Sequence, residues 1–358
     1  MAAMKPRLAV VGGGKFGLMH LRAYKQLERE GRAELVGLAD VNDDLLAQRR
    51  EEFGVRTYSD YRELIEKERP DGVSVVTPDH LHREIGLFAV GTGCHVLIEK
   101  PLDVTVGGCR ELADTAAGRE RILMVDFHKR YDPYHEELRA QVQAGKLGEV
   151  LYGYAHMEDR IEVPRDWWPG WASRSSPVWF LGVHMFDLIR WVIDDDPVRV
   201  YASGSKKKLA ALGVDTYDYV QAKVEFARGA TFTIDSSWIL PDGFETIVNQ
   251  GIRVVGSEGI MEIDSQDRGA RSCFTSEGMA TYNLGFFKEA RNKKGETVYS
   301  GYGIVSIQDF AMNVAHVLDG GSIGELAGTY ADGDDGLQVT NIAEGAERSL
   351  KTRQVVEL

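Results

Sequence analysis

The sequence predicts two domains: a doubly wound α/β domain, followed by an α+β domain built on a large, mostly antiparallel open sheet. Strand-like and helix-like segments alternate through roughly the first 125 residues, in the order that a parallel sheet requires. Beyond that point most strand-like runs follow one another with turn residues between them. The chain has 358 residues, more than one hydrophobic core usually supports. We place the boundary after residue 127, so that residues 1–127 and 128–358 form the two domains.

The α/β domain opens on an apolar strand that enters a glycine-rich turn within residues 8–17, LAVVGGGKFG. Gly12 permits the tight turn, Gly14 lets a pyrophosphate approach the backbone, and Gly17 lets the helix pack closely on the strand. A second strand-like run, 34–40, ends in Asp40, about 20 residues beyond the turn. This pairing predicts a dinucleotide-binding Rossmann domain.

The acid at the end of the second strand also predicts which dinucleotide is bound. An aspartate there accepts hydrogen bonds from both ribose hydroxyls and repels a 2′-phosphate, so Asp40 favours NAD over NADP. The alternative is a glycine-rich turn that binds no ligand. The presence of both parts of the motif argues against that alternative.

The rest of the α/β domain continues the alternation. Helices are predicted at 43–52, 60–68, 80–92 and 105–117, and strands at 72–76, 95–98 and 121–125. Two polar segments directly follow strands: TPDHLH at 77–82 and Glu99-Lys100-Pro101. A doubly wound sheet binds ligands at the carboxyl ends of its strands, so both segments are expected to face the cofactor. A lysine placed there and stiffened by proline can direct its ammonium at the ligand.

Beyond residue 127 the pattern predicts an α+β domain. Helices are expected at 134–144, 181–193 and 305–319. The strand candidates are 149–157, 198–203, 217–226, 230–239, 248–256 and 259–264. Helices would cover one face of this sheet, and the other face needs a partner or leaves apolar surface in water. A homodimer or homotetramer is therefore expected.

Composition restricts the class of partner. With 55 acidic and 42 basic residues, the formal net charge of −13 argues against nucleic acid or an anionic membrane surface. No apolar run approaches the length of a membrane span, and the first strand begins too early for a cleavable signal. Cys94, Cys109 and Cys273 are widely spaced, which suggests neither a disulfide framework nor a zinc site, and we expect them to be buried. These features predict a cytoplasmic protein with small-molecule partners and no metal.

Together with further motifs, these segments resemble the Gfo/Idh/MocA family of oxidoreductases, named for glucose-fructose oxidoreductase and inositol dehydrogenase. Besides the glycine turn, TPDHLH and EKP, the resemblance includes FHKRYDP at 127–133, GVHMFD at 182–187, VVGSEGIMEI at 254–263 and the closing DDGLQVTNIAEGAERSLKTRQVVEL. It covers nearly the whole chain. It implies an N-terminal Rossmann domain and a C-terminal α+β domain that is often used for dimer or tetramer contacts. We also expect the C-terminal helix to pack back on the Rossmann domain.

The resemblance assigns the catalytic roles to Lys100 and His184, which match the family's catalytic lysine and histidine. Oxidation of a secondary alcohol needs a base within hydrogen-bond reach of the hydroxyl, and a cation or donor that stabilises the developing alkoxide. His184 suits the first task and Lys100 the second. A lone histidine in an apolar stretch is ordinarily a satisfied core residue. The matched spacing to Asp187 favours a site role instead.

One position departs from the family. Many of its dehydrogenases carry an aspartate four residues before the catalytic histidine, where this chain has Phe180. Phenylalanine can neither accept a proton nor orient an imidazole. Three alternatives follow: His184 works with Lys100 alone, another carboxylate such as Glu158 or Asp187 substitutes, or the protein binds NAD without efficient alcohol oxidation.

Further site residues are predicted from the same motifs. The expected cofactor-binding residues are Gly12, Gly14, Lys15, Phe16, Gly17, Asp40, Thr77, Pro78, His80, His82, Glu99 and Lys100. The expected substrate-binding residues are Arg130, His156, Glu158, Trp179 and Asp187. Arg130 matches a substrate-side arginine of the inositol dehydrogenase branch, with a surface ion pair as the alternative. His156 matches a strand position where that branch contacts substrate, and Glu158 points to the same face because strand side chains alternate.

Tryptophans are concentrated in one segment. Trp167, Trp168, Trp171 and Trp179 fall within thirteen residues that also contain prolines and a glycine. Such aromatic, irregular segments stack on the apolar face of a sugar or close over a pocket, and equally they serve as interface or core.

From these features we predict an NAD-dependent oxidoreductase that transfers a hydride between nicotinamide and a secondary hydroxyl of a sugar, sugar derivative or cyclitol. Two alternatives stay open. One is an NAD-binding regulatory or scaffold protein without efficient turnover. The other is a glycosidase-type enzyme that uses NAD in a non-redox reaction.

Overall fold

The computed structural model describes residues 4–266, 270–275 and 278–358, which fall into two compact units. Unit 1 comprises Met1–Tyr131 and Gly285–Leu337, and unit 2 comprises Asp132–Leu284 and Gln338–Leu358. The strands are β1 (Arg7–Val11), β2 (Glu34–Ala39), β3 (Thr57–Tyr58), β4 (Gly72–Val75), β5 (His95–Ile98), β6 (Leu123–Val125), β7 (Val150–Arg160), β8 (Pro197–Ser205), β9 (Tyr219–Phe226), β10 (Thr231–Leu240), β11 (Val248–Gly256), β12 (Ile260–Asp264), β13 (Arg271–Phe274), β14 (Gly278–Thr281), β15 (Lys288–Arg291), β16 (Thr297–Ser300) and β17 (Val356–Glu357). The helices are α1 (Lys15–Arg29), α2 (Asp43–Phe53), α3 (Tyr61–Glu68), α4 (His82–Gly91), α5 (Val106–Gly118), α6 (Pro133–Gln143), α7 (Pro169–Ala172), α8 (Val183–Ile193), α9 (Lys208–Ala211), α10 (Tyr302–Leu318) and α11 (Gly333–Thr352).

Unit 1 is built on a six-stranded parallel sheet with strand order β3-β2-β1-β4-β5-β6. All residues of β4 and β5 are buried, as expected of parallel strands that helices cover on both faces. The strand order changes direction between β1 and β4. In such sheets this point, at the carboxyl ends of the strands, is where ligands bind. The predicted doubly wound domain is confirmed.

Unit 1 also contains α10, which the sequence pattern alone places after the domain boundary at residue 127. Ile304 and Phe310 of α10 are buried in the same core as Leu21 and Tyr24 of α1. A division at residue 127 would place residues 285–337 in the second domain, but in the structure they belong to unit 1. The reason is that apolar residues far apart along the chain complete one core, which leaves no local signal in the sequence.

The C-terminal helix α11 is shared between the units. Gly336, in its first turns, packs against Leu102 and Val125 so closely that an added Cβ would lie 2.7 Å from a Leu102 methyl. The beginning of α11 therefore packs on the Rossmann sheet, and the residues from Gln338 onward belong to unit 2.

Unit 2 is built on a seven-stranded sheet with strand order β12-β11-β7-β10-β9-β8-β17. Neighbouring strands are antiparallel except β7 and β10, which run parallel. The expected large, mostly antiparallel sheet is confirmed. Two small antiparallel hairpins, β13–β14 and β15–β16, lie outside both large sheets and are not predicted by the sequence pattern.

The two faces of the large sheet in unit 2 differ in exposure. Along β7, Ala155 and Met157 are buried, whereas the alternate side chains Tyr152 and Tyr154 are exposed. The segment that leads into α8 packs on the buried face, where an added Cβ at Gly182 would lie 3.1 Å from Ser236 Oγ. The opposite face also exposes Tyr201 of β8 and Tyr219 of β9.

The three cysteines differ in exposure. Cys94 and Cys109 are buried as expected, but Cys273 is exposed, which corrects the expectation for that residue. It lies on β13, a strand of a short hairpin rather than of either large sheet.

Among the described residues, no helix combines the length and apolar character needed to cross a membrane.

We predict that a second copy of the chain covers the tyrosine-bearing face, because tyrosines exposed together on one face of a sheet are typical of an interface. Tyr201 is 44% exposed there. Sedimentation equilibrium should give a dimer or tetramer, and Tyr201→Glu should dissociate it. Tyr134→Glu, a control on α6 where the tyrosine is 54% exposed, should leave the assembly intact. A wild-type monomer of 39.8 kDa at micromolar concentration would contradict this prediction.

Candidate cofactor and catalytic site

The glycine turn between β1 and α1 is shaped by backbone contacts that leave no room for side chains at two positions. Gly12 has a φ of +101°, and an added Cβ would lie 2.2 Å from the Val76 carbonyl oxygen. An added Cβ at Gly17 would lie 1.9 Å from the Gly12 carbonyl oxygen. The Gly12 N–H donates to the Ala39 carbonyl at 2.8 Å, which ties the turn to β2. The turn is therefore fixed by its neighbours on both sides.

Gly14 is different, because an added Cβ there would meet no atom within 4 Å. It caps α1, whose first backbone N–H groups have no acceptor within the helix. Open space beside backbone donors at a helix N-terminus fits a pyrophosphate. Lys15 and Phe16 begin α1, and the Phe16 ring lies 5.9 Å from Lys100 Nζ. The turn and the lysine segment thus meet at one edge of the sheet.

Asp40 follows β2 and faces the same turn. Its carboxylate accepts hydrogen bonds from the backbone N–H groups of Gly13, at 2.7 Å, and Asn42, at 2.9 Å. A carboxylate offers about four acceptor positions, so these contacts leave capacity for ribose hydroxyls. The next residue, Val41, is 92% exposed and carries no charge that would attract a 2′-phosphate.

His82 joins the two polar segments that follow β4 and β5. Its Nδ1 lies 2.7 Å from the Pro101 carbonyl oxygen, and its Nε2 lies 2.9 Å from the Thr77 carbonyl oxygen. Carbonyl oxygens only accept, so the ring donates both hydrogen bonds only when both nitrogens carry protons. His82 is buried and connects these two loops. His80, by contrast, exposes about half of its side chain, 51%.

Glu99 and Lys100 follow β5 and are both buried. Glu99 Oε2 accepts a hydrogen bond from the Lys100 backbone N–H at 3.2 Å, and Oε1 lies 3.5 Å from His20 Nε2. Burial by itself would raise the pKa of Glu99, but the contact with His20 and the charge of Lys100 lower that pKa below its usual value. A buried lysine therefore lies next to an ionised carboxylate at the carboxyl end of β5.

Arg130 lies in a short 3-10 turn, His128–Tyr131, and pairs with Asp335 of α11 at 2.9 Å. Arg130 is 8% exposed and Asp335 is half-buried, so this is a partly buried ion pair rather than the surface pair considered as the alternative. It holds the start of α11 to the turn that follows β6. Its role in substrate binding stays a prediction.

In unit 2, His184 lies in the first turn of α8 and is buried, as is Asp187 one turn later. A π-helical turn, Val178–Gly182, leads directly into α8. Such turns occur frequently at functional sites. Phe180, in that turn, contacts Trp171 with ring centroids 5.2 Å apart and Trp238 at 6.2 Å. The position of the family's aspartate is therefore occupied by part of an aromatic cluster.

The tryptophan segment is ordered into a second π-helical turn, Val163–Trp167, and α7. Trp168 packs edge to face on Trp167, Trp171 and Phe180, with centroid distances of 5.6, 6.3 and 5.9 Å. Edge-to-face packing of this kind is typical of core aromatics, although Trp168 and Trp179 remain half-buried.

The structure does not bring His156 and Glu158 to the face on which α8 packs. They are in register with Asp235 and Ser237 of β10, on the face that carries Tyr154. Glu158 accepts a hydrogen bond from Asn249 at 2.8 Å. Alternation correctly predicts that the two share a face but not which face. Glu158 is thus poorly placed to replace the family's aspartate.

Asp159 is a residue that the motifs miss. Ala155, Met157 and Asp159 are each two residues apart along β7, so Asp159 lies on the same face as the two buried apolar residues, the face on which α8 packs. Asp159 is 2% exposed. A buried carboxylate on that face, together with Asp187, is a candidate to orient His184. In the sequence, the apolar residues two and four positions before Asp159 indicate that its side chain points to the buried face of the strand.

Family models match both parts of the chain. Residues 6–127 match the model described as oxidoreductase family, NAD-binding Rossmann fold, and residues 135–262 match the Gfo/Idh/MocA C-terminal domain. The chain belongs to the Gfo/Idh/MocA family of oxidoreductases. Its N-terminal domain is the family's NAD-binding domain, so NAD is its cofactor.

Curated relatives and solved structures agree with this membership. The chain is 28% identical to the myo-inositol 2-dehydrogenase of Thermotoga maritima, over 72% of this chain and 75% of that protein. It is also 28% identical to the D-glucoside 3-dehydrogenase of Escherichia coli, over 70% of this chain and 75% of that protein. The crystal structure of myo-inositol 2-dehydrogenase from Lactobacillus plantarum has the same fold, with a TM-score of 0.79 at 22% identity over 99% of this chain and 100% of that one.

Asp40 predicts cofactor preference in this Gfo/Idh/MocA member. NAD should bind at least about tenfold more tightly than NADP, or roughly 1.4 kcal/mol, because the carboxylate repels a 2′-phosphate. Calorimetric titration of both cofactors measures the ratio. Asp40→Asn should reduce it, whereas Asp43→Asn, at an exposed position in the first turn of α2, should not. Equal affinities in the wild-type protein would remove Asp40 from this role.

The glycine turn gives a second prediction, because its glycines meet different constraints. Gly12→Ala should destabilise the fold itself, since both its φ and its Cβ contact are forbidden to alanine. Gly14→Ala should leave the melting temperature close to wild type but weaken NAD binding about tenfold or more, because the methyl group enters the space assigned to the pyrophosphate. Thermal melts and cofactor titrations separate the two effects. Full NAD affinity in Gly14→Ala would place the pyrophosphate elsewhere.

Proposed function

We propose that this protein is an NAD-dependent dehydrogenase that oxidises a secondary hydroxyl of a sugar, sugar derivative or cyclitol. The observation that carries the proposal is the buried Lys100, fixed at the carboxyl end of β5 in the same unit as the glycine turn and Asp40. The names of the relatives support the substrate class, since they refer to carbon 2 of an inositol and carbon 3 of a glucoside.

In the proposed reaction the substrate carbon loses a hydride and its hydroxyl loses a proton, so that a carbonyl forms. NAD, when bound, supplies the hydride acceptor. Lys100 donates a hydrogen bond to the substrate oxygen and stabilises the alkoxide that develops there. His184 takes the hydroxyl proton as general base. Asp40 and the turn at Gly12–Gly17 hold the dinucleotide.

Phe180 belongs to an aromatic cluster and cannot orient His184 as the family's aspartate would. Glu158 lies on the other face of the sheet, so we assign the orienting role to Asp187 or Asp159. A histidine that lacks the family's neighbouring aspartate should depend more strongly on Lys100.

We also propose that the protein is a cytoplasmic homodimer or homotetramer with a small polyol or sugar as its partner. The net charge of −13, the three scattered cysteines and the exposed tyrosine face support these proposals.

The function is tested by following NADH formation on a panel of inositols, aldoses and glycosides, with product analysis. NADH together with an oxidised sugar supports the proposal. A hydrolysed glycoside without net NADH identifies the glycosidase-type alternative. NAD binding without any product identifies the regulatory or scaffold alternative.

We predict that Lys100→Ala and His184→Ala each lower kcat by about 10²-fold or more, with Lys100→Ala the more damaging. NAD affinity should change far less, because the dinucleotide contacts lie at the glycine turn and Asp40. Lys67→Ala and His316→Ala, at exposed ion pairs, serve as matched controls. Phe180→Asp should raise activity if the aromatic cluster accepts a carboxylate. Near-normal turnover in His184→Ala would mean that another group, such as Asp159, takes the proton.

A further inference from the structure

Three buried titratable side chains form a cluster beside Lys100 in unit 1. His20 comes from α1, Glu99 follows β5 and Asp126 follows β6. In the parallel sheet Ile98 is in register with Val125. Glu99 and Asp126, the residues that follow these two, therefore lie side by side at the carboxyl ends of neighbouring strands. A single imidazole nitrogen faces both: His20 Nε2 lies 3.5 Å from Glu99 Oε1 and 3.8 Å from Asp126 Oδ2.

The two carboxyl groups of this cluster differ in their hydrogen bonds. Glu99 has the shorter contact with His20 and also accepts from the Lys100 backbone N–H. Asp126 Oδ1 has no hydrogen-bond partner among the described residues, and the 3.8 Å contact of Oδ2 is longer than a hydrogen bond. Asp126 is only 2% exposed. An ionised carboxylate in this position would lose its hydration and regain only part of that stabilisation, from the Ser306 hydroxyl and the charge of Lys100, which is costly.

We infer that Asp126 is held as a neutral carboxylic acid, which leaves Glu99 as the ionised carboxylate of this cluster. Asp126 is then a positioning residue for the Lys100 ammonium. The protonation state stands on the geometry of the cluster. The positioning role rests on the proposed function, in which Lys100 contacts the substrate oxygen.

The electrostatic environment supports this division of charge. Burial raises the pKa of Asp126 well above its usual value, and the neighbouring Glu99 carboxylate raises it further. The Ser306 hydroxyl and the charge of Lys100 lower this pKa, but by less than burial and Glu99 raise it. Within the described part of the chain, the titratable and charged groups that interact with Asp126 are His20 and Tyr24 from α1, Glu99 and Lys100 after β5, and Tyr131 after β6. Beyond these, His128 interacts with Glu99, and Asp309 of α10 interacts with Tyr131.

The neutral acid has a consequence for the ammonium of Lys100. While Asp126 holds its proton, Glu99 is the only ionised carboxylate of this three-residue cluster that attracts Lys100. When Asp126 loses that proton at alkaline pH, a second buried anion attracts the same ammonium. The cluster would then draw Lys100 away from the substrate oxygen, and turnover would fall.

The protonation state has a test that needs no substrate. Between the unfolded pKa of aspartate, about 3.9, and the raised folded pKa, the native protein keeps a proton that the unfolded chain has released. The wild-type unfolding free energy should therefore fall as pH rises through this window. Asp126→Asn mimics the neutral acid and should remove that slope, whereas Glu99→Gln should destabilise at neutral pH. Asp114→Asn, at an exposed position on α5, is the matched control and should keep the wild-type slope.

Two measurements on the folded protein sharpen this test. Infrared difference spectra of wild type against Asp126→Asn should contain the C=O stretch of a protonated carboxylic acid. Elemental analysis should find no stoichiometric divalent ion that is lost in Asp126→Asn. A retained slope, a missing acid band, or one bound metal ion per chain would each overturn the neutral-acid assignment, whether or not the dehydrogenase activity is confirmed.

The positioning role is tested by the pH profile of kcat on a substrate that the panel identifies. In Asp126→Asn the alkaline limb should move to higher pH by about half a unit or more, because the second anion can no longer form. A merely structural residue would not move this limb. Superimposable profiles for wild type and Asp126→Asn would overturn the positioning role. If the panel yields no oxidation, the positioning role falls with the proposed function, and the unfolding and infrared results still decide the protonation state.

Discussion

Backbone crowding at the carboxyl end of β1 is the constraint on which the cofactor edge of unit 1 depends. Gly12 donates to Ala39 on one side, and any Cβ it carried would strike the Val76 carbonyl on the other. The chain turns directly into α1, which presents the helix N-terminus beside the open space at Gly14. The same edge then receives the residues that follow β2, β4, β5 and β6. Parallel order thus gathers Asp40, Thr77, Lys100 and Asp126 without any of them being adjacent in sequence.

Elements with local determinants are predictable from the sequence. The helix expected at 43–52 is Asp43–Phe53, because Asn42 caps its start and Gly54 adopts the left-handed conformation that ends it. Strand 95–98 is found with the same bounds. What local patterns miss depends on long-range packing. The parallel pairing of β7 with β10, the placement of α10 in unit 1 and the small hairpins leave no periodic signal in the chain.

The candidate site divides in the same way. The glycine turn, Asp40 and the Glu99-Lys100 pair follow from motifs, since each uses a fixed spacing with a physical reason. The two carbonyl contacts of His82 and the convergence of His20 with Asp126 require the register of neighbouring strands and a helix. Alternation along β7 places Glu158 and Asp159 on opposite faces, but only packing identifies which face α8 covers. Site residues that depend on tertiary register therefore escape a reading of the sequence alone.

Membership of the Gfo/Idh/MocA family and a buried lysine at the cofactor edge both support the central proposal, that the protein moves a hydride from a carbinol carbon to NAD. The most direct measurement uses a substrate from the panel that carries deuterium at the carbinol carbon, followed by mass spectrometry of the cofactor. Hydride transfer predicts that the deuterium appears in the reduced nicotinamide, in step with formation of the carbonyl product. Oxidised product without deuterium in the cofactor, or with the label released to water, would contradict it.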